Sequence, residues 1–433
     1  LSHGKNPDRI PVIEAIRELR KEGFPIGIMF DTKGAEIRTG EISHPIEIKK
    51  GQEVVFSPHP LPEEKRTVIS VNYEEFKNDV RETDRILLDN GTMIFDIVEI
   101  QSDGSVVARS QDDGNIGSRR HVTLPGADID LPSITERDFL DIAFGIEQGV
   151  DYFSLSFVRS AEDIESVRRY LKDKKSHARI IAKIESQSAV DHLAEIIAAT
   201  DALMVARGDL GSDLPFEDLP ALQDEIVIRC RDEGKPVIVA THMLESMCEH
   251  PMPTRAEVTD VAHAVMSRAD ATMLSGETAS GKYPEKALEA MDRIIRKTEE
   301  YLRRFPMRED IPVHNAREAR AEAANGLVAS TSSSALFVFT KSGQTAREVS
   351  RFRPHVPIIA FTDAPATQHS LALSYGVHPL VIPFSANPES TVQAGMEAAI
   401  AHDFVQRGDH VVLLSDAQAK NAPVQSVQLR TVE

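Results

Sequence analysis

The strongest constraint in this chain is a strict alternation of strand-like and helix-like segments from about residue 124 to 303. Short apolar runs recur at Tyr152–Phe157, Ile180–Ile184, Ala202–Ala206, Val237–Ala240 and Ala271–Leu274. Amphipathic stretches of helical period separate them. Each such stretch must cross from the end of one strand to the start of the next, so the strands run parallel. Two helices are expected to open at Thr135 and Thr254, because Asp138 and Glu257 stand three residues on, the spacing of a capping box. A long charged helix over about 285–304 closes the segment.

Outside it the texture changes twice. Residues 1–40 give a helix from Ile10 to Glu22 and a buried strand from Pro25 to Asp31. Residues 41–123 instead hold short alternating stretches such as Glu53–Phe56 and Val106–Ala108, broken by turn signals at Asp89-Asn-Gly91 and Asp112-Asp-Gly-Asn115. That is an inserted all-β domain. After a linker marked by Pro306, Pro312 and His314, residues 316–433 alternate again, with strands at Leu336–Thr340, Pro357–Phe361, Leu380–Pro383 and His410–Leu414, implying a second parallel sheet. The expected organisation is a barrel domain in two parts (1–40 and 124–304), a β insert over it (41–123) and a C-terminal α/β domain (316–433). Six strand–helix units around an insert point to a (β/α)8 TIM-type barrel. Eight strands are expected, so two are expected upstream of Leu1.

Charge narrows the function. With 49 basic and 68 acidic residues the net charge is −19. A nucleic-acid binder needs a basic surface, so that class is excluded, and an anionic substrate must be met by local cations or metal. No apolar run approaches the ~20 residues that cross a bilayer. Cys230 and Cys248 stand outside any C-x-x-C pattern, which fits a reducing cytoplasm and neither a disulfide framework nor a zinc site. The Asn90-Gly91-Thr92 sequon then carries no glycan and reads as a hairpin turn.

Polar residues gather at the strand C-termini. Asp31 and Lys33 follow the first strand, Lys183 and Glu185 end another, then come Arg207 and Asp209, Thr241, and Ser275 and Glu277. In a barrel that rim carries the active site. Lys183 and Glu185 are two apart, as are Arg207 and Asp209, so each pair is expected on one side of an extended strand. Two carboxylates on adjacent strand ends suit Mg²⁺, which takes one or two carboxylates and completes its shell with water and substrate oxygens. Lys183 beside them can neutralise charge on a transferring phosphoryl group. An ion-pair network that merely closes the barrel top is the competing explanation. By themselves these residues reach only a metal-dependent barrel enzyme with a small anionic substrate.

The motifs go further. Asp31-Thr-Lys-Gly-Ala-Glu-Ile-Arg-Thr-Gly40 resembles the pyruvate kinase segment before that family's β domain, and His121-Val-Thr-Leu-Pro-Gly126 the return from it. Ile181-Ala-Lys-Ile-Glu185, Ala206-Arg-Gly-Asp-Leu-Gly211, Ala240-Thr-His-Met-Leu-Glu-Ser-Met247, Pro253-Thr-Arg-Ala-Glu257 and Met273-Leu-Ser-Gly-Glu-Thr278 are similar to its strand-end signatures, in the same order. The likeness spans nearly the whole chain, weakest past about 385.

The resemblance implies Mg²⁺- and K⁺-dependent phosphoryl transfer from phosphoenolpyruvate to ADP, giving pyruvate and ATP, in a homotetramer. It implies Glu185 and Asp209 as Mg²⁺ ligands (Mn²⁺ serving equally) and Lys183 and Arg38 against the phosphoryl group. The Ala206, Arg207, Gly208 and Asp209 backbone and Thr241 would hold the substrate carboxylate. Thr241, backed by Ser275 and Glu277, would lie near the enolate carbon. Ser2, Asp31 and Thr32 match K⁺ ligands, Glu36 the carboxylate that accompanies K⁺ dependence, and His3, Arg38 and Arg120 positions near the nucleotide. Thr340, Lys341, Ser342, Gly343, Gln344 and Thr345 resemble the loop that takes an effector phosphate, such as that of a sugar phosphate. Departures are Ala35, Asn90 and His242, and a Leu414–Lys420 loop without glycine, where Asp416 would repel a phosphate. The family also places a strand and an arginine–asparagine pair just before Leu1.

Two alternatives are a Mg²⁺-dependent barrel lyase acting on oxo acids and a catalytically dead effector-binding subunit. A P-loop at Gly276–Lys282 is discounted, since Tyr283 stands where Ser or Thr must meet Mg²⁺.

Overall fold

The structure is a computed structural model that describes residues 6–61, 66–80, 83–89, 91–127, 129, 131–305, 311–419 and 422–433. Six parallel strands stand side by side in chain order: Met29–Asp31, Tyr152–Leu155, Arg179–Ile184, Ala202–Ala206, Val237–Ala240 and Ala271–Thr272. Each pairs with the next in register, for example Phe30 with Phe153, Ile181 with Ala202 and Ile238 with Ala271.

Both faces of this sheet are buried, which is why its strands read as continuous apolar runs. Ile180, Ala182 and Ile184 pack outward with the helices, whereas Tyr152, Ile181, Met204, Ile238 and Ala240 form a separate cluster on the inner face. An inner cluster of that kind is the filled interior of a curled, barrel-type sheet. The expected helix openings are present: Thr135 and Thr254 each accept from the backbone N–H three residues on, and Asp138 and Glu257 reciprocate. Among the described residues no helix is long and apolar enough to cross a membrane.

The insert is a six-stranded sheet plus a two-stranded ribbon around its own core of Val54, Phe56, Ile69, Phe76, Ile86 and Phe95. The chain leaves and re-enters at one place, where Arg38 bridges His121. Arg85–Leu88 and Met93–Ile100 pair as an antiparallel hairpin, Leu88 opposite Met93. Asn90 itself lies outside the described residues.

The C-terminal sheet corrects one expectation. Four strands (Ser333–Phe339, Ile358–Thr362, Val377–Val381 and His410–Ala419) are parallel, but a fifth, Ala422–Thr431, runs antiparallel along His410–Ala419. The connection from Ala419 to Ala422 is far too short for a parallel crossover, so it can only reverse the chain. Pro423 argues against a strand when the sequence is read alone, yet an edge strand tolerates it. The C-terminal segment also plugs the bottom of the barrel sheet: Leu373 packs on the inner cluster and the Tyr152 hydroxyl donates to the Ser370 carbonyl.

Candidate active site

The C-terminal ends of the barrel strands bring Asp31, Lys183 and Glu185 together. The Lys183 ammonium lies 2.8 Å from Glu185 Oε1, 3.4 Å from Asp31 Oδ1 and 3.0 Å from Ser156 Oγ. Lys183 and Glu185 therefore do share one side, as their spacing predicts. Glu185 is buried, and its other oxygen accepts from the Phe157 N–H at 2.6 Å.

Burial acts against the charge on Lys183, but Glu185 and Asp31 outweigh it and hold the ammonium above its usual pKa. Burial raises the Glu185 carboxyl to about 7, with the neighbouring Asp209 charge adding to Lys183's incomplete compensation. Asp209 is likewise raised, first by burial and then by the Glu36 and Asp31 charges, against the pull of Lys183. Glu185 and Asp209 are thus both pushed toward the protonated form, and their titrations are linked. Two hard, crowded carboxylates with a deficit of positive charge are a donor set that fits Mg²⁺. Among the described residues no group of three or more His, Cys, Asp or Glu side chains converges on a metal position.

The second predicted pair behaves differently. The strand ends at Ala206, and Arg207–Asp213 is a helix. Residues two apart on a helix do not face the same way, so the expectation that Arg207 and Asp209 project together is corrected. Asp209 lies among the carboxylates, whereas the Arg207 guanidinium turns to Asp260 at 2.6 Å and to the Thr241 carbonyl at 2.6 Å. Gly208 donates its N–H to Thr241 Oγ1 at 2.8 Å, and that hydroxyl donates to the Ala240 carbonyl at 2.7 Å. A side chain at Gly208 would press within 3.5 Å of that same oxygen.

Ser275 and Glu277 sit behind this loop. Glu277 is buried, accepting from Leu244 N–H at 2.9 Å and Ser275 N–H at 2.7 Å, and so ties the ends of two neighbouring strands together. The Ser275 hydroxyl is buried and has no hydrogen-bond partner among the described residues.

Beside Asp31, Thr32 is fully buried; its carbonyl accepts from Ser156 Oγ at 2.8 Å and its hydroxyl from Ser156 N–H at 3.0 Å. Arg38, at the base of the insert, ion-pairs with Glu36 and donates to the Arg119 carbonyl at 2.8 Å. Arg120 pairs with Asp89 at 2.9 Å, both half-exposed. Ser2 and His3 lie outside the described residues. A cleft lined by Glu36, His121, Phe157, Glu185 and Asp209 lies between the insert's base and the barrel rim.

In the C-terminal segment, residues 340–343 form a turn before the helix Gln344–Ser350. Thr340 Oγ1 accepts from Gly343 N–H at 3.0 Å, and Gly343 adopts the left-handed φ of +80° that favours glycine. The turn borders a cavity of about 760 Å³ that Arg317 and Lys341 also line.

Sequence reasoning passes over Ser156 and reads Asp138 only as a helix cap. Ser156 follows the strand Tyr152–Leu155, so the strand-end rule applied to the other strands would have found it. Asp138 accepts from the Lys33 and Gly34 N–H groups and pins the loop after the first strand; no local pattern links residues that far apart.

Comparison with known proteins places these features in context. The pattern "Pyruvate kinase, barrel domain" matches residues 1–288 and "Pyruvate kinase, alpha/beta domain" matches residues 318–423. Plastidial pyruvate kinase 3 of Arabidopsis thaliana is 41% identical over 96% of this chain and 73% of its own length. The pyruvate kinase of Dictyostelium discoideum is 38% identical, over 96% of this chain and 84% of its own. A crystal structure of a pyruvate kinase from Cryptosporidium parvum superimposes with a TM-score of 0.90 at 30% identity, covering 100% of this chain and 90% of that one.

Proposed function

This chain belongs to the pyruvate kinase family, phosphotransferases that act on phosphoenolpyruvate and ADP, and on that premise we propose that Lys183, Glu185 and Asp209 form the reacting centre of that transfer. The observation that carries the assignment is the Lys183 ammonium set 2.8 Å from a buried carboxylate at the barrel rim. A permanently charged lysine there meets negative charge that grows on the phosphoryl oxygens and the departing enolate.

Glu185 and Asp209 are the proposed holders of Mg²⁺, which when bound supplies positive charge to phosphoryl and substrate oxygens. Asp31 and the Thr32 carbonyl, with Ser2, are the proposed K⁺ ligands. Arg38, poised at the hinge of the insert, is proposed to contact the phosphoryl group, and Arg120 and His3 to lie toward the nucleotide. The segment 41–123 is proposed to act as a lid that excludes water from the cleft. The Ala206–Asp209 backbone is proposed to bind the substrate carboxylate, with the Thr241 hydroxyl nearest the enolate carbon, where a proton must be delivered to make pyruvate. Ser275 and Glu277 support that loop from behind. The segment 340–345, a turn running into a helix, is proposed as a phosphate site for a sugar-phosphate effector, since its hydroxyls, Lys341 and Arg317 border one cavity.

A coupled assay for pyruvate with and without Mg²⁺ and ADP tests the reading. Product should require both. Pyruvate release without ADP would transfer the assignment to a lyase or phosphatase.

A further inference from the structure

Thr241 and His242 are consecutive non-glycine residues with left-handed backbones, φ +66° and +53°. For a β-branched residue this is a genuine outlier, and it persists only where surrounding bonds over-determine it. Two sets of bonds do so. The side chain is fixed between the Gly208 N–H and the Ala240 carbonyl. The Thr241 carbonyl is fixed by Arg207, whose Nη2 donates at 2.6 Å and whose Nε reaches the Ala240 carbonyl at 3.4 Å.

Arg207 is aimed by one carboxylate among the described residues. Asp260, on the helix Arg255–Met266, takes Nη1 at 2.6 Å. Glu257 on the same helix caps its N-terminus and also accepts from Ser246 N–H at 2.7 Å and Ser246 Oγ at 2.6 Å. The helix thus grips the loop after Ala240 at both ends. Beside Arg207 lies an open hollow of about 710 Å³ lined by Phe216, Gln223, His242 and His263. Without Asp260, Nη1 keeps only a long contact to Gln223 Oε1 at 3.5 Å and the guanidinium has room to swing into the hollow; among the described residues no other group donates to the Thr241 carbonyl.

We propose that Asp260 is a positioning residue for the reaction: by holding Arg207 it fixes the left-handed Thr241 peptide and so sets the Thr241 hydroxyl at the enolate carbon. The inference rests on the assignment of Thr241 to that carbon.

Exchange of the pyruvate methyl protons in D2O isolates the step. A methyl C–H breaks, its proton passes to solvent, and a deuteron returns to the same carbon. The reaction is followed by proton NMR on the full chain with Mg²⁺, K⁺ and inorganic phosphate. Asp260→Ala and the isosteric Asp260→Asn should slow exchange on the order of 10- to 100-fold, the scale of a small misplacement of a reacting group. Asp260→Glu should regain most of the rate. Glu249→Gln, which removes the surface partner of Lys282, should exchange normally. The double variant Asp260→Ala/Thr241→Ala should be no slower than Thr241→Ala, because both changes act through one hydroxyl. Normal exchange in a folded Asp260→Asn, or multiplicative losses in the double variant, would overturn the proposal. If Thr241→Ala itself exchanges normally, the assignment of Thr241 falls and takes the proposal with it. A slow Thr241→Ala beside a normal Asp260→Asn removes the positioning role alone.

Discussion

Lys183→Met is the sharpest perturbation of the proposed centre. Methionine keeps the length and apolar stem of lysine and deletes only the charge. That charge sits 2.8 Å from Glu185 and 3.4 Å from Asp31. At an effective dielectric of about 20, each contact is worth roughly 5–6 kcal/mol of Coulomb attraction before desolvation is subtracted. The subtraction is large for a buried group, yet the ammonium is still held above its usual pKa, so attraction exceeds it. A preorganised cation of this kind, facing oxygens that become more negative as the phosphoryl group leaves, lowers the barrier by about 2.7–4 kcal/mol. Its loss should lower kcat by ~10²–10³. The KM for phosphoenolpyruvate should move far less, because the interaction strengthens mainly in the transition state. Steady-state kinetics at saturating Mg²⁺, with a melting curve to verify folding, separates the two. A variant with near-normal kcat and a raised KM would refute the reasoning and make Lys183 a ground-state binding residue only.

Glu36 next to Arg38 predicts activation by K⁺, the monovalent ion adding positive charge beside the phosphoryl group. Equal initial rates in K⁺-only, Na⁺-only and Tris-only buffers would refute this. Glu185 predicts a pH dependence of stability. Its carboxyl is raised from 4.5 to about 7, so above pH 4.5 the folded protein keeps a proton that the unfolded chain releases. The unfolded state then binds fewer protons, and metal-free stability should fall as pH rises from about 4.5 through 7, by on the order of 3 kcal/mol at most. Mg²⁺ competes with that proton and should flatten the decline. Melting temperatures that do not fall across this window in chelator, or that Mg²⁺ leaves unchanged, count against the Glu185/Asp209 site.

The legible part of this site follows from strand geometry. Lys183 and Glu185 could be placed together from sequence because the chain is extended there and period two is reliable. The same rule failed at Arg207 and Asp209 because the chain turns helical immediately after Ala206, and nothing within Arg207-Gly-Asp marks the change of period. The capping boxes at Thr135 and Thr254 were readable because their partners lie three residues away. Asp138 at the Lys33 loop, Ser156 at Thr32 and Asp260 at Arg207 are contacts between segments 53 or more residues apart, which only the assembly of the sheet and its helices creates. The left-handed backbone at Thr241 was hidden for a different reason: a β-branched threonine is the residue from which local propensity argues most strongly against that conformation. A strained position of this kind needs support from elsewhere in the fold. The residues that supply it, Arg207, Asp260 and Glu277, differ in kind from those that face the cleft. The cleft-facing set can be found by walking along strand ends. Arg207 and Glu277 stand at strand ends too, but Asp260 becomes visible only by asking what holds the strained peptide in place, and at Thr241 that question leads off the barrel rim to a carboxylate on the helix behind it.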